Sequence, residues 1–303
     1  MLYLLAGMFA VISKGAAEKR TELILAACNG LFLFTWIASV ANTDWKSLIF
    51  ATWALAFGVI SFLAFRISAN STPFYAYASV AAAFFAAATA AELDGRTLVI
   101  AFTVEILFLV LSVLSLTKNP KTATKTSWLF VIPAVLSYLS MAHYANSSQL
   151  FSADFFVLAL LAFALICVGR FISMAAKHVQ IKEDNDAGSY IVVIGTLYVW
   201  FILWRFIHIL MLQSPDIATM IALIIFTLVG LGVYFNGLYG ENKARRVYGV
   251  ALLSFVVLRL LFVEVWNMEL FGKVITFVTI GVLLMSTAFI TKKKKHELEI
   301  NGK

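Results

Sequence analysis

Residues 190–212 read YIVVIGTLYVWFILWRFIHILML, a long apolar run that admits one arginine and one histidine and no acid. At about 1.5 Å of rise per residue this run makes a helix of roughly 35 Å, enough to cross about 30 Å of hydrocarbon. A barrel strand would be about half as long and would alternate apolar with polar residues. The run does not alternate, so it reads as a membrane-spanning α-helix.

The same kind of run recurs along the chain. Ten segments qualify as spans: about Glu22–Ala41, Ser47–Ala64, Pro73–Ala91, Thr97–Leu116, Trp128–Tyr144, Asp154–Met174, Tyr190–Leu212, Ile217–Leu238, Val247–Trp266 and Leu270–Ile290. Leu2–Ser13, ahead of them, is short for a crossing. It reads as a strongly tilted or partial span, or as the remnant of a helix that begins upstream in a longer protein. The expected fold is therefore all-α, a polytopic bundle of ten or eleven spans without a soluble domain. It forms one integral-membrane domain over 1–303, with a partial first helix and basic loop at 1–21 and a basic tail at 291–303.

Composition agrees. Hydrophobic residues make up 62% and charged residues 13% of the 303, and the mean hydropathy is +0.93. A soluble domain is about half apolar and about a quarter charged. The net charge of +7 suggests no nucleic-acid partner, because the cations flank apolar runs and form no patch with exposed aromatics. The cysteines, Cys28 and Cys167, lie inside apolar runs and read as small packing residues. The N-terminus lacks the basic start and small-residue cleavage site of a signal peptide.

Local signals mark several helix starts. Thr72-Pro73 and Ser214-Pro215-Asp216 each set a capping side chain beside a proline suited to the first turn. Ser152 and Asp154 precede another apolar run, and Pro133 should kink the Trp128 span.

Basic residues sort into alternate gaps. With Leu2–Ser13 as the first segment, the odd gaps carry Lys14, Lys19 and Arg20, then Arg66, then Lys118, Lys121 and Lys125, then Arg170, Lys177 and Lys182, then Lys243, Arg245 and Arg246. The tail adds Lys292–Lys295 and Lys303, whereas the even gaps hold only Lys46, Arg96 and Lys273. The positive-inside rule then puts the odd gaps and the C-terminus in the cytoplasm. Trp36, Trp45, Trp53, Trp200, Trp204 and Trp266 fall toward the outer side and Trp128 toward the inner, as an aromatic belt would.

The remaining basic residues, Arg205 and Arg259, lie within spans, as do Glu105 and, near an end, Glu264. An ionised side chain in hydrocarbon costs at least ~2.5 kcal/mol, so such residues face the protein interior and find partners. Counted along the helices, Arg205 lies about 24 Å and Arg259 about 18 Å from the inner side, with Glu105 about 12 Å below the outer surface. His208 and Glu264 sit near the outer edge. Tyr198, Arg205 and His208, seven and three apart, share one helical face. Arg259 and Glu264, five apart, diverge by about 140° on an α-helix. Two readings stand side by side. Glu105, Tyr198, Arg205, His208, Arg259 and Glu264 line an outward-facing polar cavity that holds an anionic headgroup in guanidinium forks. Alternatively, they are interhelical pairs, or side chains snorkelling to headgroups. The outer loop Glu92–Arg96 reads as a turn built on Gly95, and Lys292–Lys295 as an anchor to anionic lipid.

Other chemistry finds no support. The histidines His143, His178, His208 and His296 lie in separate segments without ligand spacing, and there is no phosphate-binding glycine loop. Neither a metal nor a cofactor is expected.

Two stretches carry a resemblance. Thr97–Glu105 is similar to a helix motif of large bacterial polytopic membrane proteins grouped as a domain of unknown function, with Phe102 or Thr103 where that family has Trp. The stretch from Arg245 through Arg259, Glu264 and Trp266 to Gly272, Lys273 and Gly281 resembles the family's closing helices, with Glu264 in place of a usual aspartate. The resemblance covers about a quarter of the chain. It implies a protein of the bacterial cytoplasmic (inner) membrane and no particular activity.

Three functions follow as expectations. The first is binding or translocation of an amphipathic or anionic envelope component, such as a lipid-linked intermediate. The second is a non-catalytic scaffold that assembles envelope machinery with a membrane-protein partner. The third is an intramembrane transferase using His208 or Glu105 as base, which no motif singles out. Membrane lipids are partners in all three.

Overall fold

The computed structural model describes residues 16–67, 72–178, 182–239, 243–264, 270, 273–282 and 285. The segment Leu2–Ser13 and the tail 291–303 lie outside them. Among the described residues every regular element is helical: α1 (Ala16–Val40), α2 (Thr43–Ile67), α3 (Thr72–Glu92), α4 (Gly95–Thr117), α5 (Pro120–Ser127), α6 (Val131–Asn146), α7 (Ala153–His178), α8 (Lys182–Leu210), α9 (Pro215–Tyr239), α10 (Lys243–Arg259) and α11 (Lys273–Val282). Among the described residues seven helices are long and apolar enough to cross a membrane, and three shorter apolar pieces, Cys28–Val40, Tyr77–Glu92 and Lys273–Val282, fall in the other three expected spans. The chain is an all-α, multi-pass membrane protein.

Helix is the state that lipid imposes, because each backbone N–H and C=O must find a partner within its own segment. The residue distribution is that of a lipid-bathed bundle. Large apolar side chains such as Phe32 and Trp128 are more than 70% exposed, while small hydroxyl residues lie inside. The buried hydroxyls satisfy themselves locally: Thr103 donates to the Val99 carbonyl (2.7 Å) and Thr227 to that of Leu223 (2.8 Å).

The expected helix starts appear. Ser152 caps α7, its Oγ accepting from the Phe155 N–H at 3.3 Å, and α9 opens at Pro215. Asn119 caps α5 with Pro120 behind it, so the basic Lys118–Lys125 gap is itself largely helical. Pro133 acts one turn earlier than its own position. Its ring opposes the Leu129 carbonyl four residues back, and residues Trp128–Phe130 tighten into a 3-10 turn between α5 and α6. At the Glu92–Arg96 turn, Gly95 takes φ +51°, a left-handed conformation that glycine adopts without strain.

The helices cluster into two compact units, Met1–Glu105 and Ile106–Lys303, with the division inside α4. In the first, Phe50 and Phe57 of α2 and Phe84 of α3 form a ring cluster with Phe34 of α1, at centroid separations of 5.2–5.8 Å. A β-carbon at Gly30 of α1 would stand 2.9 Å from Val80 of α3, so glycine admits that approach.

In the second unit α7 is the most enclosed helix, half of its central window being buried. It packs along α8, and Gly169 and Gly188 meet backbone to backbone: a β-carbon at Gly169 would lie 2.6 Å from the Gly188 carbonyl oxygen. The α9–α10 hairpin closes the same way, with a β-carbon at Gly249 falling 2.7 Å from the Tyr234 nitrogen. Small residues let backbones approach where no hydrophobic force distinguishes helix from lipid. Cys167 of α7 is half-buried, whereas Cys28, expected as a packing residue, is exposed on α1.

Candidate functional site

The second unit organises its polar residues around α8. Tyr198, Arg205 and His208 were expected on one face, and the structure divides them between two neighbours. Tyr198 and Arg205 turn to α6. The Tyr198 hydroxyl lies 3.2 Å from Ser137 Oγ, which itself donates to the Ala134 carbonyl. Arg205 Nη2 donates to the Ser147 carbonyl at 3.0 Å. Ser147 is the cap residue that ends α6, so the guanidinium meets the negative pole of that helix. Beside it stands Tyr144, fully buried, whose hydroxyl donates to the Leu150 carbonyl (3.3 Å). Arg205 Nε is shielded from solvent and has no hydrogen-bond partner.

His208, three residues on and about 60° around the helix, turns instead to α9. Its Nε2 lies 3.2 Å from Thr219 Oγ1 and its Nδ1 2.9 Å from the Trp204 carbonyl oxygen. A carbonyl only accepts, so Nδ1 carries the proton in that contact, while Nε2 shares a hydrogen bond with the Thr219 hydroxyl. Both nitrogens are thus used within the bundle, a poor arrangement for a general base. Trp204 is the platform of this side. Its ring sits 4.4 Å from that of His208, and the Arg259 guanidinium of α10 lies 3.5 Å over it. His208 and Arg259 are therefore brought together, through an aromatic residue. Spacing alone did not single out Trp204, although Trp200, Trp204 and His208 fall four apart and so lie along one side of α8. Farther along that side, Tyr248 Oη accepts from Trp200 Nε1 at 2.9 Å and lies 2.7 Å from Thr196 Oγ1, tying α8 to α10.

Directly after Arg259 the backbone changes to a π-helical turn, Leu260–Glu264. The 140° separation expected of Arg259 and Glu264 holds for an α-helix and not for this wider turn. The Glu264 side chain lies outside the described residues.

Glu105 belongs to the first unit. Its Oε1 accepts from the Thr89 hydroxyl of α3, and it lines an open cleft of about 490 Å³ with Ser47, Leu48, Ala51, Ala88, Thr89, Glu92, Leu93 and Ala101. Among the described residues no three His, Cys, Asp or Glu side chains converge on a metal position. Family models, curated proteins and solved structures were compared with the chain, and none matches.

Proposed function

We propose that this protein binds, and presents or moves, an amphipathic anion of the cell envelope, such as a lipid-linked phosphate or carboxylate, at the guanidinium of Arg205. The observation that carries the reading is the state of that side chain. It is a cation inside a spanning helix, held by one carbonyl oxygen, with a shielded Nε–H that has no partner among the described residues. An unused donor shielded from solvent is costly unless something occupies it. An anionic headgroup would do so, taking the guanidinium edge as a fork. Tyr144 and Tyr198 flank the position with hydroxyl and ring.

The alternating distribution of Lys and Arg supports a cytoplasmic C-terminus, which sets Arg205 in the outer half of a bacterial cytoplasmic membrane. The likeness of the Arg245–Gly281 stretch to an uncharacterised bacterial membrane family supports the same location. The test is native mass spectrometry of purified protein with phosphatidylglycerol and phosphatidylcholine. The protein should prefer the anionic lipid, and Arg205→Ala should weaken its binding about tenfold, with Arg205→Lys intermediate. Equal retention of anionic lipid by folded wild type and Arg205→Ala would overturn the reading.

A further inference from the structure

We propose that the cleft in the first unit binds an amphipathic cation, an amine or onium group carrying an apolar body, through Glu105 with Glu92 at its rim. This site stands on observations independent of Arg205. Both ionisable side chains lining the cleft are acidic. The nearest cations in sequence, Lys46 and Arg96, are not among the lining residues. The Thr89 hydroxyl holds one oxygen of Glu105 and leaves the other without a partner among the described residues, and Glu92 likewise makes no pair there.

Leu48, Ala51, Ala88, Leu93 and Ala101 supply apolar walls, and the three alanines leave the room. The cleft is widely open rather than enclosed, and its volume of about 490 Å³ gives room for the apolar body of a small organic cation. Glu105 stands about 15 Å along α4 from Gly95, at a depth where an ionised carboxylate needs a counter-charge. Several features select an organic cation over a hard metal ion. Calcium takes about six to eight oxygens, whereas here two carboxylates and two hydroxyls stand among hydrocarbon. An onium group on a greasy body satisfies the carboxylate and the walls together.

The experiment uses a matched pair of probes, tetraphenylphosphonium and tetraphenylborate, which share a shape and differ in sign. Equilibrium dialysis against the whole protein in neutral maltoside micelles should give saturable phosphonium binding that the borate does not displace. Glu105→Gln should weaken it about tenfold or more, and Glu92→Gln only a few-fold, as befits an exposed carboxylate. Ala101→Leu, which fills the cleft and keeps both acids, should abolish binding even if Glu105→Gln fails to fold. Arg205→Ala should bind phosphonium as wild type does, so the two sites fail or succeed separately. Unchanged phosphonium affinity in Ala101→Leu, equal binding of the two probes, or no saturable binding would each overturn the proposal.

Discussion

The two units differ in what dominates their helix contacts and in the charged groups set beside those contacts. In Met1–Glu105 the contacts are aromatic: Phe34, Phe50, Phe57 and Phe84 interlock, and the intramembrane charge is a carboxylate. In Ile106–Lys303 the helices close on glycine backbones and on a polar-aromatic network along α8, into which Arg205 and Arg259 bring guanidinium groups. Where large rings fill the interface, a charge is left at its margin, in a cleft. Where glycines draw backbones together, the charged side chains lie against aromatic rings and helix ends.

The comparison can be broken at several points. The largest effect is expected from Phe84→Ala, which removes the ring that touches Phe34, Phe50 and Phe57. It should cost about 3–5 kcal/mol, read as loss of monodisperse protein on heating in detergent. A loss under about 1 kcal/mol would show that the ring cluster does not hold the first unit.

Gly169→Ala follows. Its β-carbon meets backbone rather than a flexible tip, so overpacking should cost about 1–3 kcal/mol. Unaltered unfolding in a denaturing-detergent titration would remove the glycine contact as the basis of the second unit. Arg259→Met should lose the cation–ring contact, about 0.5–2 kcal/mol. Trp204→Leu should give a similar loss, and the double variant should lose little more than either single one. Additive losses would show that the two do not act as a pair. The smallest effect belongs to Thr219→Val. A hydrogen bond between membrane helices averages about 0.6 kcal/mol, and its loss should leave His208 stacked on Trp204. Quenching of tryptophan fluorescence altered as strongly as in His208→Ala would contradict that arrangement.

Most of the architecture was legible from residues alone. Each expected span falls on helix wherever the chain is described, the proline and Ser-Pro starts hold, and Gly95 makes the turn assigned to it. The 3-10 turn at Trp128–Phe130 was legible as a kink but not in its place, because proline disturbs the turn that precedes it. The charged and polar residues inside the spans were legible one by one, and their partners were not. Spacing put Tyr198, Arg205 and His208 on one face, yet about 60° of rotation suffices to send Arg205 to the end of α6 and His208 to Thr219. Trp204 read only as a member of the aromatic belt, because an aromatic ring within an apolar run gives no sign of the cation and the imidazole that will pack on it.

The run lengths, the helical state and the alternation of cations are properties of the chain itself. Unalternating runs of this length satisfy their backbone polar groups in lipid as helices, and charge near the ends of a span acts segment by segment. Which buried charge meets which partner is a matter of rotation about each helix axis. Apolar helices present nearly equal faces to lipid and to one another, so only close packing, at Gly169 against Gly188 and at Trp204 beneath Arg259, selects that rotation.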